Sequence, residues 1–189
     1  MIRAKPSLAP AFLVSMPQLV DPNFNRTVIL LCQHSEEDGA LGLVVNRPLV
    51  TTGRVVVNLD PPAATECELE LWVGGPVEPQ RSWMLVGGEP GDAESAGGIA
   101  IADGLYLSTS PELLRRMLAP HPPAQVRLVV GHAGWGPGQL EAELEESAWL
   151  ISDIDRDLIF TTPPSEMWEA AIRRLGADPS ALHTSRGVH

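Results

Sequence analysis

The sequence predicts an α+β fold rather than a regular βαβ alternation, and three observations carry that expectation. Its early apolar runs are short, rich in β-branched residues and bounded by Pro, Gly, Asp or Asn, the pattern of strands. Stripes with helical spacing begin only at Ser110. No segment repeats. The 189 residues suit one domain, expected over residues 1–178, with 179–189 lacking periodicity and read as a flexible tail.

In chain order, strands are expected at Phe12–Met16, Thr27–Cys32, Leu41–Val45, Leu69–Val73, Trp83–Val86 and Val126–Val130. Thr27–Cys32 is apolar on both parities, so it is expected to be a central strand covered on both faces. The charged turn Glu36-Glu37-Asp38-Gly39 makes a hairpin the economical link to Leu41–Val45. Asp103-Gly104 marks a second hairpin within Gly98–Thr109. Ser110-Pro111-Glu112 supplies an N-cap, a proline at the first helical position and an early acid, ahead of Leu113, Leu114, Met117 and Leu118. Leu140, Leu144 and Ala148 stand four apart among glutamates. Met167, Trp168, Ala171, Ile172 and Leu175 form a third stripe, closed by Gly176. Segments 52–66 and 87–97 read as loops, with Arg54–Asn58 either extended or helical.

The composition excludes several function classes. Hydrophobic residues make up 44% and charged residues 20%, an ordinary globular balance. The net charge of −11 repels polyanions, so neither direct nucleic-acid binding nor docking on an anionic membrane is expected. No apolar run approaches the ~18 residues of a membrane-spanning helix. Cys32 and Cys67 form neither a disulfide framework nor a CxxC pair, so a reducing, cytoplasmic setting is expected.

Few stretches can carry chemistry. Asp21-Pro22-Asn23-Phe24-Asn25-Arg26 reads as an Asx-type turn, with Arg26 near enough to pair with Asp21. Asn46-Arg47-Pro48 ends a strand, because proline cannot continue a ladder. Cys32 and His34 are two apart on a strand and so expected on one face, roughly 6.6 Å apart. That spacing allows a thiol–imidazole contact, or two metal ligands with His132 as a third. The competing reading is a cysteine packed in the core and a histidine bonded to a nearby loop. A structural metal wants four ligands, so no metal and no cofactor is expected. Gly131–Glu143 reads as strand, glycine-rich loop, helix, yet it holds no phosphate-loop motif, and no Lys or Arg lies between His132 and Trp149. Trp135 between two glycines is either a plug into the core or a surface anchor. No serine has a local base or a nucleophile elbow.

Together these stretches resemble the YqgE/AlgH family of bacterial proteins. The resemblance is carried by Met16-Pro17, Asp21 to Val28, Cys32-Gln33-His34, Gly39 to Gly42 and Asn46-Arg47-Pro48. It continues through Gly74 to Val77, Gly134-Trp135, Gln139-Leu140-Glu141, Trp149-Leu150 and Pro163 to Trp168, and spans about residues 8–176. It implies a bent, bifurcated, mainly antiparallel β-sheet curled into a pseudo-barrel with flanking helices. No established activity, cofactor or catalytic residue comes with it; some members are described as transcriptional regulators. Two departures stand out: His132 occupies a place where the family has an aromatic, usually Tyr, and the segment after Pro48, a helix in the family, is a poor helix former here.

Two functions are carried forward. The first is a non-enzymatic binding or regulatory module that acts through a protein partner or small ligand. Its candidate binding residues are Asp21, Arg26, Asn46, Trp135 and Gln139, which equally suit fold-specifying turns. The second is a thiol enzyme or redox sensor built on Cys32 with His34.

Overall fold

The apolar run Val28–Leu31 is completely buried, because it is covered on both faces. It opens β2 (Val28–Ser35), which lies between β1 (Ala11–Ser15) and β3 (Gly39–Val44), antiparallel to both. The computed structural model describes residues 6–49, 70–88, 98–118 and 125–183. Cys67 and the 50–58 stretch therefore lie outside the described residues. The further strands are β4 (Pro48–Leu49), β5 (Leu71–Val73), β6 (Val77–Gly87), β7 (Ile99–Ala102), β8 (Leu105–Ser108), β9 (Val126–Trp135) and β10 (Trp149–Ser152). The helices are α1 (Pro111–Met117), α2 (Gln139–Glu145), α3 (Arg156–Phe160), α4 (Pro164–Arg174) and α5 (Pro179–His183).

The strands order as β10-β1-β2-β3-β9-β6-β8-β7, and the sheet curls into a half-barrel with the helices at its flanks. β9 is where the sheet forks. Leu128–Val130 pair in parallel with β5, whereas Ala133–Trp135 pair antiparallel with β3 on the next stretch. The stretch Gly131–Trp135, expected to be a loop, is thus the second half of a strand. Gly131 permits the bend: it holds φ +72°, and a Cβ there would sit 2.4 Å from the Gly75 carbonyl oxygen. Pro48 ends no ladder but begins a two-residue strand, a place where its missing N–H costs nothing.

Three hydrophobic clusters follow from the curl. Phe12, Leu30, Leu43, Leu85, Leu107 and Val129 come from six successive strands of the order, β1 to β8, and meet on the concave side, closed by Leu158 and Ile159 of α3 and Met167, Trp168 and Ile172 of α4. On the outer side, Leu13, Ile29, Leu31, Trp135 and Trp149 are covered by Leu140 of α2. Leu113 and Met117 of α1 pack on Met84, Tyr106 and Leu128 as a third cluster. Alternate residues of β2 thus serve opposite cores.

The helices depart from expectation in detail. Ser110 precedes α1, but its hydroxyl bonds Glu112 rather than capping a backbone amide. α2 stops at Glu145, and Ser147 at φ +58° turns the chain before Ala148. α4 buries its predicted stripe, with Leu175 left 40% exposed past its end. Beyond Pro179, where periodicity is lacking, the backbone forms α5, and Leu182 packs against the concave cluster.

A motif cluster and a cavity at the barrel mouth

The segment Asp21–Arg26 folds as the Asx turn its composition predicts. Asp21 Oδ1 accepts from the Asn23 amide at 2.8 Å, and the Asp21 carbonyl accepts from Phe24 and Asn25. The expected Asp21–Arg26 pair is absent. Arg26 has φ +53°, which swings its side chain away from Asp21; it pairs with Glu169 at 3.0 Å and lies over the Trp168 ring at 4.4 Å. The turn is clamped from the next motif. Asn46 accepts from the Val28 amide and donates to the Arg26 carbonyl, acting as a stand-in for a paired strand residue. Arg47 donates to the carbonyls of Pro22 and Asn25 at 2.7 and 2.8 Å. Burial lowers the Arg47 pKa, while the nearby Asp21 charge opposes that shift.

Trp135 closes β9 and is buried, so it is a core residue. Its indole N–H donates to Glu143 Oε2 at 2.9 Å, and that of Trp149 donates to the same oxygen at 2.8 Å. Gln139 donates to Glu143 Oε1 and accepts from the Gly136 amide. Phe24, at the tip of the Asx turn, stacks on Trp135 and meets Trp149 edge-on. Phe24 thus joins the Asx turn to the Trp135–Trp149 pair, and the polar side chains around them are bonded to backbone groups or to Glu143 and Glu169. Glu143 is the centre of the tryptophan pair, and the sequence reading does not single it out. The available signal was its i,i+4 spacing from Gln139.

Cys32 and His34 do not meet. The β2–β3 register shifts between Leu31 and Gln33, so Cys32 is an extra residue that breaks the alternation assumed for the pair. Cys32 packs against the concave cluster, and its thiol donates to the Leu30 carbonyl at 3.4 Å. Burial pushes that thiol up to about 12. His34 turns to the outer side. Its Nδ1 accepts from the Leu8 amide at 3.0 Å, which leaves Nε2 to donate to Glu141 at 2.6 Å. His132, the suggested third ligand, is buried with Nδ1 unpartnered, 3.8 Å from Glu78. Among the described residues no three His, Cys, Asp or Glu side chains gather as a metal site.

One place near Cys32 is left unfilled. Where β2 and β3 curl round to face β6, β7 and β8, a cavity of about 390 Å³ opens at the mouth of the half-barrel. Its floor is apolar: Cys32, Leu41, Trp83, Ile101 and Leu107. Its polar lining is Gln33, Arg81, Ser108 and Thr109, with Ile99 standing 62% exposed. The volume lies within the roughly 300–1,000 Å³ typical of small-molecule sites. Trp83 Nε1 is buried and has no acceptor. Arg81 reaches this wall because the β6–β9 register shifts between Val77 and Ser82, arching Glu78–Arg81 out of the ladder and laying the guanidinium over the Trp83 ring at 4.3 Å. Sequence reading missed this site. Its one local trace was an arginine two residues before a tryptophan on a strand.

Comparison with known proteins agrees with the geometry. The family model described as AlgH-like matches residues 12–180. A UPF0301 protein of Anaeromyxobacter dehalogenans strain 2CP-C is 41% identical, with 97% of this chain and 96% of the relative covered. One from Myxococcus xanthus is 40% identical, with 97% and 99% covered. The solution structure of the AlgH protein of Pseudomonas aeruginosa superposes with a TM-score of 0.71 at 35% identity, with both chains covered in full. A Corynebacterium diphtheriae protein at 24% identity and TM-score 0.68, covering 97% of this chain and 95% of that one, shares the fold. The chain belongs to the AlgH-like family.

Proposed function

We propose that this protein is a non-catalytic binding module that takes a small ligand in the cavity at the barrel mouth. The observation that carries the reading is a cavity of about 390 Å³, in the size range of small-molecule sites, walled by Leu41, Trp83, Ile101 and Leu107 with the polar Gln33, Arg81, Ser108 and Thr109 beside them. The side chains of the motif residues Asp21, Arg26, Asn46, Trp135 and Gln139 bond to the backbone and to Glu143 and Glu169, which supports a fold-specifying role for them. The thiol alternative is disfavoured because Cys32 stays protonated and lacks the imidazole it needs. Any regulatory role then passes through the bound ligand or a protein partner in the cytoplasm, without direct contact to nucleic acid.

The test uses a neutral apolar fluorophore, N-phenylnaphthylamine, and the cavity-filling variant Ile101→Trp. Saturable binding of one fluorophore per chain is expected in wild type, with loss in the variant at an unchanged Tm. Absence of saturable binding, or equal binding in the folded variant, overturns the proposal.

A further inference from the structure

We infer that the cavity's ligand is a small carboxylate with an apolar body, its head held by Arg81. This rests on the binding reading above and specifies its chemistry. The wall formed by Leu41, Ile101 and Leu107 suits an apolar body, and the polar lining is Gln33, Arg81, Ser108 and Thr109, of which Arg81 alone is charged, so a charged head lies against it. Arg81 carries donors only, and stacking over the Trp83 ring at 4.3 Å holds its guanidinium at the cavity wall. None of the described residues lining the cavity carries a carboxylate, in a chain with 24 acidic against 13 basic residues. The cavity is thus a place where this acidic protein favours an anion.

Among the described residues Arg81 has one competing partner, Glu78, at 3.5 Å, and both side chains are about half exposed. Such a pair is weak in water. A carboxylate seated against the apolar floor is better desolvated and presents two oxygens to the planar fork of the guanidinium. Glu78 keeps a second neighbour in His132, 3.8 Å away.

The experiment titrates octanoate, octanol and octylamine into wild type, Arg81→Gln and Arg81→Lys, with the neutral fluorophore as an independent report on the cavity. In wild type octanoate is expected to bind about tenfold tighter than octanol, and octylamine weakest. Arg81→Gln abolishes the preference for octanoate while the fluorophore still binds, and Arg81→Lys restores part of it. If octanol matches octanoate, or the preference survives in Arg81→Gln, the carboxylate assignment fails while the cavity stands. If the fluorophore itself does not bind wild type, the cavity reading fails instead.

Discussion

Trp135 and Trp149 share one acceptor: both indole N–H groups donate to Oε2 of Glu143, and their rings meet edge-on with centroids 6.0 Å apart. The two tryptophans come from different strands, β9 and β10, which are not neighbours in the sheet. The carboxylate of α2 therefore ties the forked strand to the edge strand, and its other oxygen holds Gln139.

Glu143→Gln is expected to destabilise the fold. A carboxylate accepts at both ends, whereas an amide must turn its NH2 either towards two indole donors or towards the Gln139 donor. The better orientation keeps the oxygen on the two indoles, which then lose a charged acceptor for a neutral one, and gives up the exposed Gln139 bond. The loss should be about 1.5–3 kcal/mol, the range for hydrogen bonds to a charged group. Chemical denaturation of the two proteins measures it, and an unchanged midpoint would show that Glu143 is only decorating the surface.

Asn46 is expected to tolerate neither Ala nor Asp. Its amide accepts from Val28 and donates to the Arg26 carbonyl, and only an amide does both. Asp would set a carboxylate against that carbonyl oxygen. Both variants should lose about 1–3 kcal/mol, and the Val28 amide should exchange with solvent faster. Hydrogen exchange at Val28 distinguishes this from a general loosening of the chain.

These two sites show how much was legible in the sequence. The buried run of β2, the hairpin at Asp103-Gly104 and the stripe of α4 were readable because periodicity and turn chemistry are local. The Asx turn at Asp21 was readable for the same reason. The partner of Arg26 was not, since Glu169 lies 143 residues away and only the tertiary fold brings it near. The bulge at Cys32 left no composition signal, yet it alone separates Cys32 from His34. The extent of β9 was misjudged because glycines that bend a strand look like glycines of a loop. The cavity was invisible for a simpler reason: its walls come from five strands that the curl assembles.

Trp135→Ala is expected to cost about 3–5 kcal/mol, as for other buried aromatic truncations. The ring is lost from contact with Phe24 and Trp149, and Glu143 loses one donor. Thermal melting checks the magnitude. Binding of the neutral fluorophore at the barrel mouth should survive at temperatures where the variant remains folded, because Trp135 belongs to the outer cluster and not to the cavity wall. A variant that melts like wild type but loses a protein partner in pull-downs would restore the surface-anchor reading.

Cys32 supplies the sharpest pH test. In the unfolded chain its thiol titrates near 9.0, and in the folded protein burial pushes it up to about 12. The folded state therefore holds a proton that the unfolded state releases between those values. Below pH 9 both states are protonated and the full stability is present. As pH rises through 9 towards 12, stability falls by up to about 1.4 kcal/mol per pH unit on account of this one group. In a Cys67→Ser background, Cys32→Ala should flatten that alkaline slope, at the cost of some packing at every pH. Alkylation provides the kinetic counterpart: at pH 8 the folded protein should label at Cys32 far more slowly than free cysteine, and denaturant should abolish the protection. Labelling of folded protein at pH 6 faster than free cysteine would instead mean a thiolate, and the thiol-enzyme reading would return.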